Sequence, residues 1–205
     1  MEPTTSGALG TTERLSMALE DVGRTLEVQR QEFAARTLIA TPIAGAIAWA
    51  AVGVAGMLLP SRQASFVLFI ATGMIVYLGM FISRFTGENF LDRSRPKNTF
   101  DALFLYTVAM ALLGFAIAIP FYLVDHTSLP LSVGVLSGMM WIPMTWIIQH
   151  WVGVGHAVAR TLLVVALWYL LPEERFVAIP FAIVGLYVVT IAILVRRRVA
   201  VSGVS

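Results

Sequence analysis

Apolar residues fall into six long runs: Thr37–Leu59, Ala64–Ile82, Ala102–Val124, Leu131–Gln149, Val154–Leu171 and Val177–Val195. Each is close to the ~20 residues needed to cross a ~30 Å hydrocarbon core. None alternates apolar and polar positions over about ten residues, as a barrel strand would, so the runs predict membrane-crossing helices. The fold class expected is therefore all-α: a polytopic membrane protein with six transmembrane helices. Before them, residues 1–11 predict a disordered N-terminus. Residues 12–36 predict an amphipathic helix, because Leu15, Leu19, Val22, Leu26 and Phe33 recur at spacings of three, four and seven. Glu20 with Arg24 and Glu32 with Arg36 form i,i+4 pairs on its polar side.

Composition agrees. Hydrophobic residues make up 58% of the 205-residue chain and charged residues only 13%, with a mean hydropathy of +0.82. A soluble domain carries about 25% charged residues. There is no cysteine, which excludes disulfides, thiol catalysis and thiolate metal sites. The net charge of +2 is a topology signal rather than a sign of nucleic-acid binding, and no nucleic-acid partner is expected.

The positions of the basic residues orient the chain. With the N-terminus inside, the cytoplasm receives Arg14, Arg24, Arg30, Arg36, Arg84, Arg93, Arg95, Lys97 and Arg196 to Arg198. The outer turns receive only Arg62 and Arg175. The bias predicts both termini in the cytoplasm, with residues 196–205 as a basic tail. Ser83–Asp101 is the one substantial loop; it reads either as a topology anchor or as a gate, since it mixes Glu88, Asp92 and Asp101 with basic residues. The helix over residues 12–36 carries both charge signs. That favours packing on protein, its own loop or a homo-oligomer partner, over a bilayer surface.

Candidate chemistry concentrates in the fourth and fifth runs. Gly134 and Gly138 form a GxxxG close-approach motif, and Ser137, Trp141, Thr145 and Gln149 follow at i+4 steps as a polar stripe. Pro143 removes one backbone donor in the same stretch. In the fifth run His156 and Arg160 share a helix face, with Arg160 roughly 10–13 Å below the surface. A guanidinium at that depth needs a partner, a wet cavity or a function. Three roles compete. Arg160 braces helices by bonding Asp101 or free carbonyls, or binds a small anion or lipid headgroup, or gates with His156 as the titrating group. The functional expectation is a protein that binds or moves a small solute or ion, anionic for preference, through a polar cavity between the fourth and fifth helices. Trp141, Thr145, Gln149, His156 and Arg160 would line it, and Asp101 is a further pathway candidate.

Two alternatives stand beside it. One is a membrane-embedded enzyme using His150 or the outer group Asp125, His126, Glu173 and Glu174. The other is a scaffold or sensor acting through its N-terminal helix. Phosphate-binding glycine loops, serine elbows and dinucleotide fingerprints are absent from the sequence, so no cofactor is expected and the balance is against an enzyme.

The run Gly138–Leu163, GMMWIPMTWIIQHWVGVGHAVARTLL, and the run RPKNTFDALF at residues 95–104 resemble stretches of a family of small bacterial inner-membrane proteins with no assigned function. The resemblance covers the chain from about Val28 onward. It implies six helices and a multi-pass protein of the bacterial inner membrane, and brings no activity or site residue with it.

Overall fold

The computed structural model describes residues 24–90, 92 and 96–202, with side chains as far as Arg198. Among the described residues the chain is helical and forms no strand. Helix α1 is Leu26–Ala34 and α2 is Ala40–Leu58; α3 and α4 are Ser61–Gly73 and Ile75–Ser83. Helices α5 and α6 are Thr99–Leu113 and Phe115–Val124, followed by α7 and α8 at Leu129–Gly138 and Trp141–Ile147. Helix α9 is Val152–Leu170 and α10 is Arg175–Ser202. Five stretches are long and apolar enough to cross a membrane, namely α2 (span 1), α5–α6 (span 3), α7–α8 (span 4), α9 (span 5) and α10 (span 6); the bent pair α3–α4, which brings the number to six if it forms one span, is numbered span 2. The chain is a multi-pass membrane protein.

Three of the spans are broken, each for a local reason. Span 2 bends by 43° between Gly73 and Ile75, where Thr72 Oγ1 donates back to the Leu68 carbonyl (2.6 Å), an arrangement that bends helices. Span 3 is interrupted at Gly114, between α5 and α6. Span 4 breaks at Met139 and Met140. Pro143 lies four residues after Met139 and has no N–H to offer its carbonyl, so the helix restarts there.

Span 1 is the hub. Its small residues Ala40, Ala44, Gly45 and Ala48 are buried, and they let span 6 approach closely. A Cβ on Gly45 would lie 2.6 Å from the Tyr187 ring, and one on Gly56 2.2 Å from the Phe176 carbonyl oxygen. Spans 4, 5 and 6 complete this packed half through Val133, Val164, Ile179 and Ile183, all buried. Span 3 stands apart from it, with only Phe100, Thr107 and Ala118 buried.

Basic residues tie down one end of the bundle, called here the charged end. The predicted helix over residues 12–36 is described only from Leu26; residues 12–23, and the disorder expected of residues 1–11, lie outside the described residues. Helix α1 packs on its own chain, with Phe33 buried against Phe100 and Phe104. Gln29 Oε1 accepts from the Thr99 N–H and hydroxyl (both 2.9 Å), capping span 3. The i,i+4 pairing of Glu32 with Arg36 is replaced: Glu32 pairs with Arg24, and Arg36 pairs with both oxygens of Asp101. Arg30 and Arg197 donate to the carbonyls of Ile147 and Ile148 (3.2 and 3.1 Å), which the end of α8 leaves unbonded within its helix. Arg196 to Arg198 belong to helix α10, which continues to Ser202.

Candidate functional site

Arg160 sits on α9 with no exposed surface. Its Nε donates to the Gly134 carbonyl (2.7 Å), Nη1 to the Tyr187 hydroxyl (3.0 Å) and Nη2 to Ser137 Oγ (2.8 Å). The guanidinium carbon lies 5.2 Å from the Trp49 ring centroid and 5.5 Å from that of Tyr187. Spans 1, 4, 5 and 6 therefore meet on one cation. Every one of these contacts is neutral: two hydroxyls, a carbonyl and two π faces. Cation–π attraction gains strength when both partners are desolvated, reaching about 2 kcal/mol or more.

Glycine makes the room. A Cβ on Gly138 would lie 2.9 Å from Arg160 Cδ, so the GxxxG motif of span 4 seats an arginine stem rather than only a helix backbone. Ser137 accepts from Arg160 and donates to the Val133 carbonyl (2.6 Å), which fixes its hydroxyl. His156 lies beside the cation, Nδ1 2.8 Å from Thr190 Oγ1, and its ring packs on Trp141 and Tyr187 at 4.7 and 5.0 Å.

The other predicted residues separate. Thr145 Oγ1 accepts from the Val154 N–H (2.5 Å) and so caps the start of span 5. Gln149 is exposed, with φ +50° and its amide on the Trp146 carbonyl. Asp101 is bound to Arg36 at the charged end rather than to Arg160. Ser137, Trp141 and Thr145 of the i+4 stripe all face span 5, on Arg160, His156 and the Val154 N–H, whereas Gln149 lies beyond the end of α8 at Ile147 and leaves the stripe. Tyr187, Thr190 and Trp49 are the node residues that sequence reasoning missed. Tyr187 and Thr190, three apart in an otherwise apolar run, were the available signal.

An open space lies elsewhere. A cavity of about 740 Å³ lies between spans 1, 2, 3 and 4 and reaches the charged end. Of the predicted residues, Trp141 and Asp101 line it. Asp101, Phe104, Val108, Ala111 and Phe115 form its wall on span 3, one helix face over fourteen residues, or roughly 20 Å. Charge is confined to the rim, where Arg36, Glu88, Asp92, Lys97 and Asp101 gather; the deeper wall is apolar apart from Thr72, Ser137 and Trp141. Glu88 is itself structural. Its Oε1 accepts from the N–H groups of Ile39 and Ala40 (2.9 Å each) and from the Thr86 hydroxyl (3.1 Å), capping span 1 after Leu38 turns the chain at φ +57°. Burial holds its carboxyl above the usual carboxylate range, against the opposing pull of those donors and Arg36.

At the opposite end, His126 Nε2 lies 2.9 Å from Ser61 Oγ, and Asp125 accepts from the Thr127 backbone and hydroxyl. Arg175 stacks on Trp168 (3.9 Å) and donates to Thr127 Oγ1. Glu173 and Glu174 are exposed. Among the described residues no three His, Asp or Glu side chains gather as a metal site. His150 Nδ1 accepts from the Val152 N–H (3.2 Å), and burial, followed by the Arg197 charge, lowers its pKa.

The chain belongs to DUF7010, a family of unknown function whose model matches residues 26–197. Both runs that carried the family resemblance lie inside that match. No curated protein and no solved structure matches the chain.

Proposed function

We propose that this membrane protein binds an amphiphile in the cavity between spans 1, 2, 3 and 4, with the polar head at the charged rim. One observation carries the reading: 740 Å³ of largely apolar space whose charged residues all stand at one end. The volume falls within the ~300–1,000 Å³ of small-molecule sites. Aromatic and methionine walls, with Phe104, Phe115, Met80 and Met144 among them, suit an adaptable fit to a hydrocarbon chain. The positive-inside bias supports an orientation with the charged end in the cytoplasm, where it would collect its ligand from the inner leaflet.

Passage of an ion between spans 4 and 5 draws less support. The residues that would line such a path are packed around Arg160, cap a helix or face outward. Filling the cavity tests the reading. Ala111→Phe projects into it from span 3, away from the rim. Lipids co-purifying with the wild type, identified by mass spectrometry, should fall at least severalfold in the variant at unchanged melting temperature. Equal lipid content in both proteins would reject the cavity as the site.

A further inference from the structure

Spans 2 and 3 meet at one end of the bundle and part at the other. Away from the charged end they touch: the Phe69 ring of α3 lies 5.9 Å from Phe115 and 5.3 Å from Tyr122, both on α6. Toward the charged end they pack elsewhere, Ile75–Ser83 on span 1 and Thr99–Leu113 on α1 and span 4. The cavity lies between these two half-helices, with Ile75, Val76 and Met80 on one side and Leu105, Val108 and Leu112 on the other. All six are apolar, so this flank suits the passage of a hydrocarbon chain.

The two sides are held differently. Ile75–Ser83 lies against span 1, where a Cβ on Gly79 would meet Thr41 and Ala44 at 3.9 Å. Thr99–Leu113 buries only Phe100 and Thr107, and a segment with so few buried contacts opens at low cost. It ends at Gly114, where an added Cβ would lie 3.1 Å from Leu136 Cβ, so span 3 rests on span 4 at its own interruption. Such element ends absorb the angle change when one half of a helix moves. At the foot of span 3, Arg36 holds both oxygens of Asp101, and Phe33 packs on Phe100 and Phe104. Helix α1 is in turn tied to the packed half, through Arg30 on the Ile147 carbonyl and Arg197 on the Ala34 carbonyl.

We propose that the cavity is entered sideways from the bilayer, between Ile75–Ser83 and Thr99–Leu113. Thr99–Leu113 is the moving side, pivoting at Gly114 and latched at its foot by Arg36 and Asp101. The inference rests on the amphiphile reading and adds the ligand's route to it. A route over the rim takes the apolar chain out of hydrocarbon and past Arg36, Glu88, Asp92, Lys97 and Asp101, which exposes its surface to water. Between the half-helices the chain keeps apolar contact throughout, and only the head travels along the membrane surface.

The chain contains no cysteine, so introduced thiols can be bridged selectively. Val76→Cys with Leu105→Cys puts one thiol on each side of the slot at similar depth. The full chain in nanodiscs is bridged with bis-thiosulfonate reagents of graded length, and uptake and release of a fluorescent dodecyl chain are timed. Bridging should slow both at least tenfold, and reductant should restore them. If that pair does not fold, Met80→Cys with Ala102→Cys repeats the test nearer the rim. Uptake unchanged by complete bridging, or no length that bridges, overturns the side entry and leaves the amphiphile reading intact. Equal slowing by the reagent on Leu105→Cys alone means a plug rather than a restrained half-helix, and overturns the moving side. Arg36→Gln should speed uptake severalfold; an unchanged rate removes the pair as latch. Absence of binding by the wild type overturns the amphiphile reading itself.

Discussion

Spans 1 and 3 are both apolar helices long enough to cross a membrane, yet one is the most enclosed element of the bundle and the other the least. Span 1 presents Ala40, Ala44, Gly45 and Ala48 to its neighbours, so backbones come close and Trp49 and Val52 are sealed. Span 3 borders the cavity mostly with large side chains, Phe104, Leu105, Val108, Leu112 and Phe115, beside Ala102 and Ala111. Lipid tails are as apolar as leucine, so helices in a membrane gain by close packing rather than by escaping solvent. A helix face built mostly of large side chains keeps its neighbours at a distance and gains less from them. Span 3 is accordingly held at its ends, through Gln29, Phe33 and the Arg36–Asp101 pair at one and the Phe69 contacts of Phe115 and Tyr122 along its far half. The cavity is the space left between.

The packed half should break most severely at Arg160. Arg160→Leu takes the cationic donor from the buried Tyr187 hydroxyl and removes two cation–π contacts; a buried unsatisfied group costs about 1–3 kcal/mol. A loss of about 3 kcal/mol, seen as a steep fall in detergent melting temperature, is expected. An unchanged melt would falsify the brace.

Glu88→Ala comes next, because two N–H groups at the start of span 1 lose their acceptor; about 2 kcal/mol is expected. Glu88→Gln keeps an acceptor and loses the titration. Since burial raises the Glu88 pKa in the folded protein, the folded state holds the proton more tightly than the unfolded one. The stability tied to this group is fully present below the unfolded pKa, near 4.3, and is lost as pH rises through the folded value. Melting curves from pH 4 upward should therefore show the Gln variant gaining on the wild type. A constant difference would mean the carboxyl is not held up.

Much of this architecture is legible in the sequence, and the limits are instructive. The six runs, the break before Pro143 and the isolation of Arg160 from any acid follow from residue type and spacing. The partners of Arg160 do not, because a cation satisfied by hydroxyls, a carbonyl and rings leaves no charge complement to search for. Gly138 was visible, but its tenant was not: a glycine records that something approaches closely, not whether it is a backbone or an arginine stem. The cavity is the least legible feature, since it arises from contacts span 3 fails to make. Gln149 misled because the i+4 stripe assumes one continuous helix, and α8 ends at Ile147.

Gly138→Ala sharpens the contrast at about 1–2 kcal/mol, the range for overpacking, as its Cβ would lie 2.9 Å from Arg160 Cδ. Gly73→Ala is the counterpart in span 2, with nothing within 4 Å of the added Cβ. It should stabilise by roughly 0.5–1 kcal/mol through helix propensity alone. Thermal melts of the two variants should move in opposite directions; movement together would mean that Gly138 has slack the close contact denies.

The smallest effect belongs to span 3. Leu112 lines the cavity and is 45% exposed, so its methyl groups have few partners to lose. In a packed core the truncation Leu→Ala costs about 2–5 kcal/mol, part of it for the void created. At Leu112 the void already exists, and the surrounding phase is lipid. Leu112→Ala should cost less than about 1 kcal/mol while enlarging the cavity, so a chain probe should bind no more weakly than to the wild type. A loss of the core-like size would show that span 3 is clamped along its length, and the contrast between the two halves of the bundle would disappear.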